Sequence, residues 1–210
     1  DNSANIRVVS WEPRELLLTF DKIITKEKTI SIKTEGDVGG DYVVEGITAS
    51  PQTIFITGPR TWVNEVSEAR VIVNMADRTS STSLTLPVQL LDDHENDVLD
   101  LEKDPGMVDI DIEILRKKTL PIRLQFEGEL PDNYNLEDIK VYPSTVVVKG
   151  DNSIAGLEYI NTKPIKIKDL LNNSFEGIEL ELPENIELMN PQQKITLDYS
   201  LEEIVEEILE

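Results

Sequence analysis

The sequence predicts a mainly β fold built from tandem repeats, with one short helix in each repeat. Three observations support this prediction: a proline-turn phrase that recurs five times, short runs in which apolar and polar residues alternate, and an offset of 92 residues that relates the two halves of the chain. A chain of 210 residues is long enough for two domains of about 100 residues each, and the duplication favours two.

The recurring phrase is a β-rich segment, a proline with two or three turn residues, and a second β-rich segment. Its prolines are spaced by 38, 54, 38 and 48 residues, and this alternation indicates a tandem duplication with two proline turns in each unit. Proline suits a turn or the start of a strand because its missing N–H then removes no ladder hydrogen bond. The five prolines are Pro13, Pro51, Pro105, Pro143 and Pro191.

The offset of 92 residues relates several distinctive positions. They are Tyr42 and Tyr134, Ile47 and Ile139, Pro51 and Pro143, Thr53 and Thr145, and Gly58 and Gly150. We therefore predict four segments along the chain. They are the closing hairpin of a preceding, truncated repeat (1–24), a first repeat (25–114), a second repeat (115–200) and an acidic amphipathic tail (201–210).

Most of each repeat is predicted to be strand. The period-two pattern of a strand with one solvated face is present in VDIDIEI (108–114), IKIK (165–168), IELEL (178–182) and KITLDY (194–199). Two further runs, TIFIT (53–57) and TVVVK (145–149), are rich in β-branched residues, so we expect them to lie deeper in the sheet.

Three short helices are predicted. Thr61 is placed to cap TWVNEVSEA (61–69), and Ser153 is placed to cap SIAGLEYI (153–160). At the C-terminus, Ser200 and Glu203 have the spacing of a capping box before an apolar stripe, so SLEEIVEEILE predicts a third helix. The predicted inner faces contain Trp62, Val63, Val66 and Ala69 in the first helix and Ile154, Leu157 and Ile160 in the second.

The composition disfavours several classes of function. The chain has 20 Lys and Arg against 41 Asp and Glu, a net charge of −21, so it repels phosphate backbones and anionic lipid surfaces, and we predict no nucleic-acid partner. The acidic surface keeps a β protein soluble, and capture of a cation or a basic partner is the alternative. There is no cysteine, hence no disulfide and no cysteine nucleophile. No run of 18 apolar residues is present, and we expect the sequence, which begins at Asp1, to be a segment of a longer protein.

Three groups of residues could suggest chemistry, and each has a structural explanation. LDDHEND (91–97), with the single histidine His94, could hold a cation weakly but lacks the glycine and spacing of a calcium loop, so we expect an exposed acidic loop. GDVGGD (36–41) is expected to be a turn, because neither Gly-Lys-Ser/Thr nor a helix follows it. Asp109, Asp111 and Glu113 share one strand face at period two and are expected to face solvent.

The two tryptophans, Trp11 and Trp62, are expected to be core or hairpin-packing residues, with a role in binding a partner as the alternative. No Ser-His-Asp or Cys-His set can be assembled from this sequence. We therefore predict that the protein is not an enzyme. We predict no catalytic, metal or cofactor-binding residues, and no cofactor.

The order of these motifs resembles that of the YbbR domain family. The first unit follows the course of YbbR repeats through Gly40-Asp41-Tyr42, Ser50-Pro51-Gln52-Thr53, Gly58-Pro59, a short helix and Val73-Asn74-Met75-Ala76-Asp77. The second unit matches through Tyr134, Pro143-Ser144-Thr145-Val146, Gly150 and the segment from Ile165 to Asp169. It departs from the family pattern at Asn133 and Asp151.

This resemblance implies an elongated, twisted β module, similar to the C-terminal domain of bacterial ribosomal protein L25, with no catalytic residues. It also implies a Gram-positive protein anchored by one N-terminal membrane helix, with its repeats outside the cell. Such proteins associate with a membrane diadenylate cyclase and modulate its production of cyclic di-AMP.

The sequence and the resemblance together predict one function and leave one main alternative. The first is a non-enzymatic, extracytoplasmic regulatory module of a membrane-anchored protein that acts on the diadenylate cyclase, with its oligomeric state left open. The alternative is a structural or adhesive cell-surface stalk that binds wall polymer or a secreted partner. A sugar-active hydrolase is a third interpretation, and only the carboxylates suggest it.

Overall fold

The computed structural model describes Glu12, Glu15 and residues 17–172 and 177–204. The chain divides into two compact units that alternate along the sequence. Unit 1 is formed by Asp1–Lys33, Ala49–Val71 and Thr85–Asp109, and unit 2 by Thr34–Thr48, Ile72–Leu84 and Ile110–Glu210. The repeat boundaries at 24, 114 and 200 stay a prediction. Most of the predicted closing hairpin of residues 1–24 lies outside the described residues.

Strands dominate the described residues and the helices are short, so the predicted mainly β fold is confirmed. The strands are β1 (Ile23–Glu35), β2 (Tyr42–Ser50), β3 (Thr53–Pro59), β4 (Glu68–Asn74), β5 (Thr82–Pro87), β6 (Gln89–Leu91), β7 (Glu102–Asp104), β8 (Met107–Arg123), β9 (Phe126–Glu127), β10 (Tyr134–Tyr142), β11 (Thr145–Gly150), β12 (Ile160–Thr162), β13 (Ile165–Lys166), β14 (Leu180–Glu181), β15 (Ile186–Leu188) and β16 (Thr196–Glu203). The helical segments are α1 (Arg60–Glu65), the 3-10 turn η1 (Asn152–Gly156) and α2 (Ile167–Leu171).

Unit 1 is centred on a five-stranded sheet with the strand order β6-β4-β1-β3-β7. Strands β1 and β3 are antiparallel, with a register that runs from Ile23 opposite Pro59 to Thr29 opposite Thr53. Successive side chains point to opposite faces, so one face of this pair is buried and the other is solvated. The buried apolar side chains of unit 1 are Ile30, Ile54, Ile56, Val63, Val66, Ala69, Val71, Val88, Leu90, Leu91 and Val108.

Unit 2 contains a seven-stranded sheet. Strands β14, β12, β8, β11 and β15 are neighbours in that order, and β2 and β5 also pair with β8. Two small sheets pair β10 with β16 and β9 with β13. One buried cluster contains Leu120, Ile122, Val146, Val148, Ile154, Ile160, Ile186 and Ile195, and a second contains Ile165, Ile167 and Leu170. Both clusters are aliphatic, in keeping with an aromatic content of only 5%.

The backbone repeats at the offset predicted from the sequence. Strand β2 recurs as β10 with bounds shifted by 92 residues, from Tyr42–Ser50 to Tyr134–Tyr142. Hydrogen bonds recur at the same shift. The matched bonds are Ile30 N–H to the Gln52 carbonyl and Ile122 N–H to the Ser144 carbonyl, and Tyr42 N–H to the Gly39 carbonyl and Tyr134 N–H to the Pro131 carbonyl, all at 2.9 Å. The tandem duplication is therefore present in the local backbone structure as well as in the sequence.

The predicted strands form, with corrections to their length. Residues 108–114 lie within β8, where exposed and buried residues alternate as predicted. Residues 165–168 are extended only at Ile165 and Lys166, because α2 begins at Ile167 and buries Ile167 and Leu170 together. Residues 178–182 contain only the short strand β14. Strands β3 and β11 each have a neighbouring strand on both sides, as expected for runs that lie deeper in the sheet, and they bury alternate residues.

The predicted helix caps are wrong at both helices. Thr61 lies inside α1, and its backbone N–H donates to Asp21 Oδ2 at 2.7 Å. At η1 the cap is Asp151, whose Oδ1 accepts from the Ser153 N–H at 2.8 Å. These hydrogen bonds, from Thr61 to Asp21 and from Ser153 to Asp151, lower the pKa of each carboxyl below its ordinary value. A carboxylate beside each helix start therefore takes the role predicted for a hydroxyl.

The predicted C-terminal helix does not begin at Ser200. Residues 200–203 belong to β16, in which Ser200 lies opposite Glu137 and Leu201 lies opposite Leu136. Pairing with β10 therefore overrides the local capping-box pattern. Residues 205–210 of this prediction lie outside the described residues.

Candidate interaction surfaces

Residues 92–97 of the acidic loop predicted at 91–97 form a solvated turn, whereas Leu91 is buried at the end of β6. Asp92 Oδ1 accepts from the backbone N–H groups of His94 and Asn96 at 2.8 and 2.9 Å. The Asn96 side-chain amide also donates to this carboxylate, and together these bonds lower the pKa of Asp92. Within the described residues, no group of three His, Cys, Asp or Glu side chains is arranged to hold a metal ion.

Arg70 holds this loop against the sheet of unit 1. Its guanidinium contacts the carboxylate of Glu68 on the same strand, and its Nη2 donates to Glu95 Oε1 of the loop at 2.8 Å. The Ser31 hydroxyl donates to Glu68 as well. These hydrogen bonds lower the pKa of both carboxyls, with Arg70 as the main cause for each, and they raise the pKa of Arg70. The acidic loop is therefore fixed through an ion network that includes one arginine and two carboxylates.

The glycine-rich segment of residues 36–41 is a turn that joins β1 to β2, as predicted. Gly36 has a φ of 75°, and a Cβ atom at this position would lie 3.1 Å from the Ala76 backbone nitrogen. Both features favour glycine at this position. The segment leads into a strand instead of a helix, so it lacks the geometry of a phosphate-binding loop.

The carboxylates of β8 face solvent, as predicted. Asp109, Asp111 and Glu113 are exposed and alternate with buried aliphatic residues. Asp109 Oδ1 accepts from the Thr85 hydroxyl at 2.6 Å. These three side chains form an acidic stripe along one strand, and Thr85 is a neutral hydrogen-bonding partner to the first of them.

Trp62 is exposed, and this corrects the expectation that it packs in the core. Its side chain is 43% exposed, whereas Val63, the next residue of α1, is fully buried. Because α1 has only six residues, it presents one narrow face to the core, and that face belongs to Val63. Trp11 and Pro13 lie outside the described residues.

A solvated face of unit 1 carries an exposed aromatic residue that the sequence did not single out. Phe55, at the middle of β3, lies opposite Glu27 of β1 and opposite Asp104 of β7. Directly opposed residues of antiparallel strands share a face, so the two carboxylates flank the ring on both sides. Phe55 is 50% exposed. We name this surface the Phe55 face; its members are Thr25, Glu27, Phe55, Thr57, Glu102 and Asp104.

The lysines of the same paired segments point to the other side of the sheet. Lys26 Nζ donates to the Asn64 side chain at 2.6 Å, Lys28 Nζ donates to the Ser67 carbonyl, and Lys103 Nζ donates to the Val88 carbonyl at 2.6 Å. Lys26 and Lys103 both lie opposite the buried Ile56. These strands therefore carry their carboxylates on the Phe55 face and their lysines on the opposite face, where Lys26 is exposed and Lys28 and Lys103 are half-buried.

The described residues contain no helix that is long and apolar enough to cross a membrane. Among them, every buried side-chain nitrogen or oxygen atom has a hydrogen-bond partner.

Comparison with known proteins identifies relatives. The CdaA regulatory protein CdaR of Bacillus subtilis (strain 168) is 23% identical over 195 residues, which cover 90% of this chain and 40% of that protein. The chain thus spans less than half the length of that relative. A YbbR-like protein of Streptococcus pneumoniae TIGR4 covers 90% of this chain and all of its own at 13% identity, with a TM-score of 0.36. The solution structure of SuR18C from Streptococcus thermophilus covers 45% of this chain and 86% of its own at 17% identity, also with a TM-score of 0.36.

The family assignment rests on a match that occurs twice. The family model described as YbbR-like protein matches residues 29–112 and again residues 120–204, and these two matches cover most of the chain. The two matched segments also share the backbone repeat described above. The chain belongs to the YbbR-like family, with two copies of its domain in tandem.

Proposed function

We propose that this chain is a non-enzymatic regulatory module that acts on a membrane diadenylate cyclase and so changes the cellular level of cyclic di-AMP. The observation that carries the proposal is the similarity to the CdaA regulatory protein CdaR, which extends over 90% of this chain. The two matches to the YbbR-like family support the same role, because the resemblance to this family implies association with the cyclase.

The surface chemistry is consistent with regulation by binding. The charged residues singled out by the sequence are exposed on strand faces or engaged in turns, as at Asp111 and Asp92. Alternate burial along the strands leaves broad solvated faces on rigid sheets, and such faces suit recognition of a partner protein. We propose that these faces lie outside the cytoplasmic membrane and that the full-length protein is anchored there by a membrane helix.

The test is an in-frame deletion of residues 25–200 from the full-length protein in its own host, followed by measurement of cellular cyclic di-AMP. The proposal predicts a change in the nucleotide level, with the truncated protein present in the membrane at the same amount as the intact one. An unchanged level at matched membrane amounts would contradict a regulatory role for these repeats.

A second experiment separates regulation from a stalk function. Detergent-solubilised membranes that contain the tagged full-length protein are purified on the tag, and the eluate is probed for the diadenylate cyclase. The proposal predicts that the cyclase co-purifies and that deletion of 25–200 reduces its recovery. Retention of cell-wall polymer without the cyclase would instead support a structural or adhesive stalk.

A further inference from the structure

We infer that the Phe55 face is a docking surface for a cationic segment of a partner protein, one in which Lys or Arg side chains flank an apolar side chain. The inference goes beyond the proposed function, because it concerns the chemistry of one surface and holds whichever protein supplies the segment. Three observations support it: carboxylates and lysines lie on opposite faces of the sheet, an aromatic ring is exposed among the carboxylates, and the matching face of the second repeat differs.

The first step is the separation of charge across the sheet. Glu27, Glu102 and Asp104 are exposed on the Phe55 face, and among the described residues none of the three is paired with a Lys or Arg side chain. The lysines of the same segments bond to backbone and side-chain oxygens on the opposite side of the sheet. Within the described part of the chain, these carboxylates therefore have no Lys or Arg partner, and a cationic partner would supply one.

Arg70, on strand β4 beside β1, is not free to neutralise this face. Arg70 of β4 is occupied by Glu68 and by Glu95 of the acidic loop. Its guanidinium is therefore already matched by two carboxylates. The negative potential of the Phe55 face is left to act on a partner.

The second step is the apolar centre. Phe55 lies between two carboxylates in one cross-strand row, and Thr57 lies in the next row between Thr25 and Glu102. The hydroxyls of Thr25 and Thr57 are hydrogen-bonded to each other at 2.8 Å, so they have partners within the face. An exposed ring with carboxylates on both sides can contact an apolar side chain and attract the flanking cations, both by charge and by a cation–π contact.

The third step is the comparison with the second repeat. The position that matches Phe55 is Val147, which lies opposite Thr119 and accepts a hydrogen bond from the Met189 N–H at 2.9 Å. Val147 and Met189 are both 38% exposed. This face has apolar atoms but no carboxylate in the matching row. The acid-flanked aromatic is therefore a property of the first repeat alone, which makes Val147 a matched control.

The negative charge of the chain disfavours three other ligands of the Phe55 face: nucleic acid, anionic lipid and a second copy of the chain. A net charge of −21 disfavours nucleic acid and anionic lipid. A second copy of this chain would place three carboxylates against three carboxylates if the same faces met, and such like-charge contact is unfavourable. A cationic protein segment remains, and an extended one would align with the parallel rows of the face.

The test is a titration of the ¹⁵N-labelled chain with the capped peptide Lys-Leu-Lys-Phe-Lys-Leu at physiological salt, followed by NMR. We expect saturable shifts at the amides of 25–27, 55–57 and 102–104. We expect Phe55→Thr, or Glu27→Gln with Asp104→Asn, to weaken binding by about tenfold. Val147→Thr is expected to leave binding unchanged. All substituted positions are partly or fully exposed, and the dispersed amide spectrum of each variant reports whether it is folded.

Two internal controls decide the outcome. The acidic stripe at Asp109, Asp111 and Glu113 has carboxylates without an exposed aromatic residue on its strand, and the row of Val147 has exposed apolar atoms without a carboxylate, because the exposed Glu187 lies in the next row opposite Lys149. Shifts of equal size at either control surface, or no saturable shift at the Phe55 face, would overturn the inference. Self-association of the free chain that is abolished by Phe55→Thr in sedimentation would overturn it too, because it would assign the face to a second copy.

Discussion

Lys149 Nζ lies 2.7 and 2.6 Å from the two carboxylate oxygens of Glu45, a residue 104 positions earlier in the chain. It also lies 3.4 Å from Glu187 Oε2 on strand β15. The Lys149 side chain is only 16% exposed, and its hydrogen bond to Glu45 raises its pKa above the ordinary value. Within unit 2, this one ammonium group therefore links β11 to two strands that are distant in sequence.

The first prediction concerns this ion pair. Lys149→Gln should lower the free energy of unfolding by up to about 1 kcal/mol, because it leaves Glu45 and Glu187 close together without a cation between them. Chemical denaturation with urea measures the loss. The matched control is Lys163→Gln, whose pair with Glu179 is well exposed and should have no measurable effect. Equal losses in the two variants would contradict the role assigned to Lys149.

The second prediction uses two glycines that occupy matching positions in the repeats. A Cβ atom on Gly150 would lie 2.8 Å from the Asn185 carbonyl oxygen, which is backbone and has little freedom to move. A Cβ atom on Gly58 would instead meet the end of the Leu101 side chain, which is flexible and can rotate away. Gly150→Ala should therefore destabilise by about 1–3 kcal/mol, and Gly58→Ala by less.

The control for both glycines is Gly156→Ala, because a Cβ atom there meets nothing within 4 Å. Its thermal midpoint should match that of the unsubstituted chain, whereas the midpoint of Gly150→Ala should be the lowest of the three. A larger loss for Gly58→Ala than for Gly150→Ala would show that Leu101 is held more tightly than the backbone at Asn185.

The third prediction is a dependence of stability on acid. The pKa values of Glu68 and Glu95 are lowered mainly by Arg70, so both carboxyls are more acidic in the folded chain than in the unfolded one. Such groups stabilise the fold above their ordinary pKa, and this contribution is lost as the pH falls through their folded values. The urea midpoint should therefore decline as the pH is lowered below the ordinary range of glutamate.

Arg70→Met should flatten this part of the acid profile, since it removes the main cause of both lowered pKa values. Arg78→Met is the control, because Arg78 Nε donates to a backbone carbonyl, that of Asn74 at 2.6 Å, and this acceptor does not titrate. Identical acid profiles for the Arg70 and Arg78 variants would refute the assignment.

The strands could be predicted from sequence because their pattern is local. In Val108–Ile114, each side chain alternates between core and solvent, and the residue types alternate with it. The same reasoning placed the acidic stripe of β8 and the turn at residues 36–41. A local pattern was not sufficient at residues 165–168, where only Ile165 and Lys166 are extended before α2 begins.

The start of α1 and the C-terminal segment could not be predicted in the same way. The N-cap residue Pro59 offers no side-chain cap, and the Thr61 N–H donates instead to Asp21, 40 positions earlier, so no local pattern identifies this contact. Residues 200–203 have a good local helix start, yet pairing with β10 holds them as a strand. In both cases a contact between distant segments decides the structure.

The exposed position of Phe55 could not be predicted from the sequence, because both faces of the strand TIFIT (53–57) consist of residue types that favour strands. Its alternation of Thr53, Phe55 and Thr57 with Ile54 and Ile56 is a weak signal, since threonine also occurs inside sheets. The position of Glu27 and Asp104 on either side of the ring depends on the register of three strands. That register becomes visible only in the folded chain.

The most direct test of the regulatory account is the rate of cyclic di-AMP synthesis in reconstituted membranes. Vesicles would contain the diadenylate cyclase alone, the cyclase with the full-length regulator, or the cyclase with a regulator that lacks residues 25–200. The account predicts that the intact regulator changes the rate and that the truncated one changes it less or not at all. Equal rates with the intact and truncated proteins, at equal amounts in the membrane, would contradict it.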